Sequence, residues 1–199
     1  PAYARRLLAG VDPSQIATRC TVTAISADLE VSVSTPRGMR TMRPRRILIA
    51  TGIRETPRSA RLVSGDRPRN VLTTGALQRL IAEGEHLPFR HPVVVGSELV
   101  SFSALLTLRD AGSRAVAMLE AGARITANRP ADWFARIALR TPVFTSTRLV
   151  AINAAPNDAS RVQSVTVADA TGRQREISCD AVLFTGAFVP EASVLAGLP

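Results

Sequence analysis

Few side chains in this 199-residue chain are suited to covalent or metal chemistry. All 25 basic residues are arginine, which excludes a Schiff-base lysine and a phosphate loop of the GxxxxGK[ST] type. Cys20 and Cys179 are too far apart in the sequence to form a CxxC redox pair, and His86 and His91 do not complete a zinc site with them. We expect no metal centre, and residue type and spacing leave the catalytic residues unknown.

A strand-to-helix turn contains the residues best placed to contact a ligand. The apolar run 93–95 predicts a short buried strand, Gly96 a turn, and 99–111 a long apolar helix that leads to another strand at 115–119. This is the βαβ unit with which a dinucleotide-binding fold opens. Glu120 ends the second strand 24 residues after Gly96, near the ~20 expected for the acid that binds a ribose.

The glycine fingerprint of such a turn is incomplete here. In GxGxxG the glycines allow a tight turn and close approach to a diphosphate, but the corresponding positions are Gly96, Glu98 and Ser101. The Glu98 carboxylate would lie where the diphosphate should lie, and Ser97 is expected to cap the helix. The sequence favours a domain that keeps the fold without the ligand. A dinucleotide site at Gly96, Ser97, Glu98 and Glu120 is the alternative.

An internal repeat organises the chain. Val31, Val33, Gly38, Thr51 and Gly52 recur 134 positions later as Val165, Val167, Gly172, Thr185 and Gly186. Each copy predicts an alternating strand, a glycine turn, a return strand and a buried apolar strand (47–49 and 181–183) that ends in Thr-Gly. Residues 21–26 likewise resemble 148–153 at an offset of 127.

The repeat predicts an α/β fold of two Rossmann-like dinucleotide-binding units, the second inserted in the first, each with a β-hairpin or meander crossover. Residues 1–88 would be the C-terminal part of a truncated first domain, 89–177 the inserted domain, and 178–199 the return to the first. The glycine turn of the first unit would precede residue 1, so we expect the chain to be a fragment of a larger protein.

These motifs resemble a known family. Its signature is the run from Ile47 to Gly52 followed by Ile53 to Pro57, the strand and turn at 93–96, and Asp180 to Gly186 closed by Pro190. The chain is similar to the two-dinucleotide flavoproteins of the pyridine nucleotide-disulfide oxidoreductase type. The resemblance implies that Ala50, Thr51 and Gly52 lie against FAD, with Gly186 as the repeated position, and that the inserted domain is of the type that usually holds NAD(P)H.

Within that family, residues 70–78 look more like the flavin subunits of opine and amino-acid dehydrogenases than like thioredoxin reductases, whose CxxC would fall near here. The resemblance therefore implies an FAD-dependent oxidoreductase that oxidises a small amine or amino-acid donor, inactive as this fragment alone. Electrons would leave to a second subunit or electron carrier. An NAD(P)H-dependent flavoprotein reductase is the alternative within the same family.

A non-catalytic interaction domain is the alternative from another class. Between Arg37 and Arg69 the sequence has ten arginines and only two acidic residues, Glu55 and Asp66. This excess of positive charge would suit an acidic partner or an anionic cofactor. No aromatic residue interrupts this stretch, so nucleic acid is not an expected partner. We also expect no membrane partner, a cytoplasmic location, and buried structural thiols at Cys20 and Cys179.

Overall fold

The computed structural model describes residues 2–128, 133, 135, 137, 139–196 and 198. The chain divides into two compact units, Pro1–Gly52 with Pro190–Pro199, and Ile53–Val189. These divisions differ from the sequence-based boundaries at 88/89 and 177/178. No helix within the described residues is both long and apolar enough to cross a membrane.

The first unit is built on an antiparallel meander. Its elements are α1 (Ala2–Leu8), β1 (Thr21–Ile25), β2 (Val31–Thr35) and β3 (Gly38–Met42), and the strands pair in the order β1-β2-β3. Alternation along β2 points Val31 and Val33 inward beside Ile25. Ile47, Val194 and Leu195 pack against this small core.

The second unit contains most of the regular structure, and only Pro190, the last residue of its final strand, is assigned to the first unit. In chain order the elements are β4 (Ile53–Glu55), a short 3₁₀ helix (Arg58–Arg61), β5 (Ser64–Gly65), β6 (Val71–Thr73), α2 (Thr74–Ala82), β7 (Pro92–Val95), α3 (Leu99–Asp110), β8 (Ala117–Leu119), β9 (Val143–Phe144), β10 (Arg148–Ala155), β11 (Asp158–Ala168), β12 (Gln174–Ser178), β13 (Ala181–Phe184) and β14 (Phe188–Pro190). A parallel sheet has the order β6-β13-β7-β8-β9, and a second sheet has the order β12-β11-β10-β5. The predicted α/β class is confirmed.

The repeat is confirmed in the two meanders, down to an irregularity. Val22 pairs with Val33 and Ala24 with Ser32, so the register shifts between them. At the repeat-related positions Leu149 pairs with Val167 and Ala151 with Thr166, with the same shift. An extra residue at one place in both ladders is a β-bulge, and its recurrence shows that the two copies share one backbone plan.

The repeat is not confirmed in the apolar segment that follows each meander. Residues 181–184 form the fully buried β13, whereas no strand forms at 46–52 and Leu48 is 91% exposed. The predicted buried strand at 47–49 is therefore wrong for this structure. β13 is paired on both sides, by β6 and β7, and no described residue pairs with 47–49. An apolar run becomes a parallel strand only when neighbours satisfy its backbone groups.

The position of β13 also explains the different division of the chain. Its last three residues pair with Val71–Thr73 on one side, and all four pair with Pro92–Val95 on the other. Residues 178–189 therefore complete the parallel sheet of the second unit, where the sequence predicted their return to the first. The functional assignment of each predicted domain stays a prediction.

Asp180 fastens the start of β13 to the start of β7. Its two carboxylate oxygens accept hydrogen bonds from the amides of Arg90 and His91, each 2.7 Å long, and its own amide donates to the carbonyl of His91. These bonds satisfy the backbone where the two strands begin. They hold the central pair of the sheet in register.

We expect Asp180→Ala to lower the free energy of unfolding by about 2 kcal/mol, because two backbone amides lose a charged acceptor. Urea denaturation monitored by circular dichroism measures the change. The control is Glu83→Ala, which removes only an exposed pair with Arg79 and should cost less than about 0.5 kcal/mol. An equal effect of both substitutions would contradict this role of Asp180.

Candidate functional site

The candidate site lies at the carboxyl edge of the parallel sheet, where open α/β sheets bind ligands. Gly96 follows β7, Glu120 follows β8, and Thr185 and Gly186 follow β13. A cavity of about 280 Å³ opens there. Its polar lining includes Arg61, Ser97, Glu98, Glu120, Thr126 and Arg148. The structure therefore brings together Gly96, Ser97, Glu98, Glu120 and Gly186 of the residues selected from the sequence.

Gly96 is required by the protein's own packing. Its φ is +120°, and a Cβ at this position would lie 2.5 Å from Thr185 Oγ1 and 2.9 Å from the Thr185 carbonyl. The Thr185 hydroxyl donates to the Val95 carbonyl and is hydrogen-bonded to Ser101 at 2.6 Å. Ser101, which stands at the third fingerprint position, thus joins α3 to the end of β13.

Ser97 and Glu120 bind each other. The Ser97 hydroxyl donates to the Glu120 carboxylate and accepts from the amide of Thr126 at 2.8 Å. The other Glu120 oxygen accepts from the Gly122 amide at 2.7 Å. The predicted helix cap is therefore wrong, because the fully buried Ser97 fixes the loop after β8 and Glu98 occupies the cap position of α3. The Glu120 carboxylate is committed to three protein donors, if the longer Thr126 hydroxyl contact at 3.4 Å is included.

Glu98 lies against the turn that follows β13. Its Oε1 accepts a hydrogen bond from the amide of Ala187 at 2.9 Å. A Cβ on Gly186 would lie 2.2 Å from the same oxygen, so only glycine leaves room for the carboxylate. Glu98 does not cap its own helix through its side chain. The carboxylate that the sequence placed at the diphosphate position is thus held there by the backbone of the turn.

Two further charged residues lie at this turn, and their position there was not predicted from the sequence. Glu55 accepts from the amides of Gly186 at 3.2 Å and Gly75 at 2.9 Å, joining the turn to the start of α2. Arg61 donates to the carbonyls of Thr185 and Gly186 and stacks over the Phe184 ring at 5.2 Å. Burial lowers the pKa of the Arg61 guanidinium, and the Glu55 and Glu98 carboxylates oppose that shift. The basic composition of 37–69 drew attention to this region, but no spacing linked either residue to position 186.

Ala50, Thr51 and Gly52 belong to the other unit and are exposed. The Thr51 hydroxyl donates to the Glu191 carbonyl at 2.5 Å, and the Glu191 amide donates to the Gly52 carbonyl at 3.0 Å. Gly52 has φ +77°, and a Cβ there would meet nothing within 4 Å. The backbone at Gly52 is therefore open to a ligand, whereas Gly186 is covered by Glu98. The predicted equivalence of the two Thr-Gly steps does not extend to their surroundings.

The two cysteines lie in different environments. Cys179 is buried, and burial raises the pKa of its thiol to about 12, as expected of a structural residue. Cys20 is exposed, so its predicted burial is wrong. Cys20 precedes β1, whose first four residues are exposed. The apolar pattern of this strand therefore does not indicate burial of the neighbouring thiol.

The comparisons with known proteins establish the fold. No family model and no curated protein matches the chain. A NAD-dependent persulfide reductase from A. fulgidus is similar with a TM-score of 0.67 and 18% identity over 88% of this chain and 32% of its own. T. acidophilum thioredoxin reductase is similar with a TM-score of 0.66 and 13% identity over 88% of this chain and 54% of its own. A FAD-dependent pyridine nucleotide-disulphide oxidoreductase from Desulfovibrio vulgaris is similar with a TM-score of 0.67 and 17% identity over 90% of this chain and 45% of its own.

The chain thus spans about a third to a half of the length of these structures. They share the fold that the resemblance implied. None of the three is an opine or amino-acid dehydrogenase subunit, so they lend no support to the predicted closeness to that subclass.

The contact between Glu98 and Gly186 predicts a coupled effect on stability. Gly186→Ala should lower the free energy of unfolding by about 3 kcal/mol in the natural protein, since alanine at φ +63° is strained and its Cβ displaces the carboxylate. In the Glu98→Ala background only the strain remains, and the loss should fall to about 1 kcal/mol. Urea unfolding of the four proteins measures the coupling. An equal loss in both backgrounds would show that the two side chains do not compete.

The thiol environments predict selective alkylation. At pH 8 iodoacetamide should modify Cys20 and spare Cys179, because a thiol with a pKa of about 12 is thiolate only to about one part in ten thousand. Mass spectrometry of tryptic peptides measures both sites. Both should react in urea, which serves as the control. Equal labelling rates in the folded protein would contradict the burial of Cys179.

Proposed function

We propose that the protein is a flavin-dependent oxidoreductase whose second unit keeps a dinucleotide-binding fold without using it for NAD(P)H. The observation that carries this proposal is the hydrogen bond between Glu98 and the Ala187 amide. The fold shared with the three solved structures supports the redox class. The Glu98 carboxylate at the start of α3, where a dinucleotide phosphate would bind, supports a reductant other than a nicotinamide nucleotide.

The residues of the first unit fit a flavin cofactor in one respect. Ala50, Thr51 and Gly52 are exposed, and the open backbone at Gly52 allows close approach of a bulky group. Bound FAD would supply the electron-transfer chemistry. The Glu191 contacts at Thr51 and Gly52 would hold this segment in place, so that it presents a fixed backbone to the cofactor.

The residues of the second unit do not fit NAD(P)H. A diphosphate at the start of α3 would meet the Glu98 carboxylate, with a second carboxylate, Glu55, on the next amide of the same turn. Like charges brought together in a partly buried site disfavour binding. Glu120, the candidate ribose acceptor, is already satisfied by the protein.

Because the second unit would not bind NAD(P)H, the proposed electron donor is a small organic molecule of the amine or amino-acid class. Electrons would leave to a second subunit or an electron carrier. This finer assignment rests on the resemblance of residues 70–78 to opine-type flavin subunits. In those residues the structure has no cysteine pair for a dithiol relay, and the segment runs from β6 into α2.

Absorbance spectroscopy followed by anaerobic titration tests the proposal. The protein purified at its full natural length should show flavin bands, and neither NADH nor NADPH should bleach them, while an amine or amino-acid donor should. A colourless protein would overturn the flavin assignment. Rapid bleaching by either nucleotide would overturn the closed crevice and favour an NAD(P)H-dependent reductase.

Glu98→Gly should open the crevice. Removing the carboxylate and its side chain restores a glycine at the second fingerprint position, and we expect NADH affinity to increase at least tenfold, by about 1.4 kcal/mol. Fluorescence titration with NADH measures the dissociation constant. Glu85→Gly, which removes an exposed glutamate outside the crevice, is the matched control and should leave the affinity unchanged. Unchanged affinity in Glu98→Gly would show that Glu98 is not what closes the site.

A further inference from the structure

A second cavity, of about 320 Å³, lies at the other end of α3 and is lined by three arginines. Arg109 belongs to the last turn of the helix, Arg114 to the turn before β8, and Arg140 to the segment before β9. Leu105, Ala115 and Leu139 contribute apolar side chains to the same cavity. We call it the arginine cavity. Among the described residues, it shares no lining residue with the candidate site at the carboxyl edge of the sheet.

Positive charge at the arginine cavity exceeds its compensation. Arg90 adds a fourth guanidinium, which donates to the Gly112 carbonyl at 3.4 Å. Asp110 pairs with Arg109, whereas in the part of the chain that the structure describes no carboxylate forms an ion pair with Arg90, Arg114 or Arg140.

The end of α3 accounts for only part of this charge. A helix C-terminus carries the equivalent of about half a negative charge, which favours a nearby cation. Together with Asp110 it offsets about one and a half of the four positive charges. The four arginines are exposed, so solvent weakens their mutual repulsion, and the positive charge that remains would attract an anion into the cavity.

The backbone around the arginine cavity is firmly anchored. The Arg90 carbonyl accepts from both the Arg114 amide at 2.8 Å and the Ser113 hydroxyl at 3.1 Å. The Arg114 guanidinium donates to the Arg140 carbonyl at 2.8 Å, joining two sides of the cavity. Arg140 itself has φ +49°, a left-handed conformation that a non-glycine residue adopts at a cost. The arginines therefore extend from fixed positions.

We propose that the arginine cavity binds a small phosphate-bearing molecule. Guanidinium groups match phosphate oxygens in paired hydrogen bonds, and three of them around one concavity suit a compact anion. The cavity volume accommodates a phosphate with a short organic group against the three apolar side chains. None of the lining residues that the structure describes is aromatic, so these residues offer no stacking surface for a nucleobase. This site is independent of the proposed oxidoreductase function.

Isothermal titration of the whole protein at low ionic strength tests the proposal, with inorganic phosphate and glycerol phosphate as probes. Both should bind saturably with a stoichiometry of one. Arg114→Gln and Arg140→Gln should each weaken binding at least tenfold. Arg173→Gln, which removes an exposed arginine from the turn between β11 and β12, should change it less than twofold.

Three outcomes would overturn the proposal. The first is no saturable binding of either probe, and the second is an equal loss in the Arg173→Gln control, which would indicate a diffuse charge effect. The third is affinity for single-stranded RNA that increases with its length, which would indicate an extended nucleic-acid surface. Arg114→Lys guards against a folding defect in the glutamine variants. It keeps the charge but loses the planar fork, and should weaken phosphate binding by at least threefold.

Discussion

The pairing of β13 on both sides is the constraint on which the second unit depends. Because β6 and β7 both run parallel to it, three chain segments end at one edge of the sheet and their following turns must share a small volume. The turn at 185–187 lies at that edge, where the Thr185 amide still donates to the Val95 carbonyl of β7, but the amides of Gly186 and Ala187 donate to side chains. Glu55, Glu98 and Arg61 supply the missing hydrogen bonds. The charged cluster is thus a consequence of the topology.

In a nucleotide-binding domain of this fold, a ligand phosphate meets the amides at such an edge, since oriented N–H groups attract an anion. Here the anions are side chains of the protein. They are tethered, so their effective concentration at the turn is far above that of a free ligand. Arg61 lowers the repulsion between them and also binds the two carbonyls, which stabilises the arrangement as a unit. A free diphosphate would have to compete with these tethered carboxylates for the same backbone amides.

The sequence predicted those parts that depend on local pattern. Alternating valines located β2 and β11, a glycine turn preceded β3 and β12, and the apolar run at 99–111 located α3 to within one residue. It did not predict contacts between distant segments. The apolar runs 47–49 and 181–183 are alike in composition, yet only the second has strands beside it. Glu55 and Gly186 are separated by 131 positions, and Arg61 was one of many arginines in a basic stretch.

Gly96 illustrates why a surviving fingerprint glycine is weak evidence for a nucleotide. In GxGxxG the first glycine is explained by the tight turn it permits. Here the same glycine is also enforced from within, because Thr185 at the end of β13 fills the space that a side chain would need. The contact with Thr185 favours this glycine with or without a ligand. The second position is free of that constraint, and there a glutamate has been accommodated. For the proposed loss of the ligand, the second fingerprint position, Glu98, is therefore more informative than Gly96.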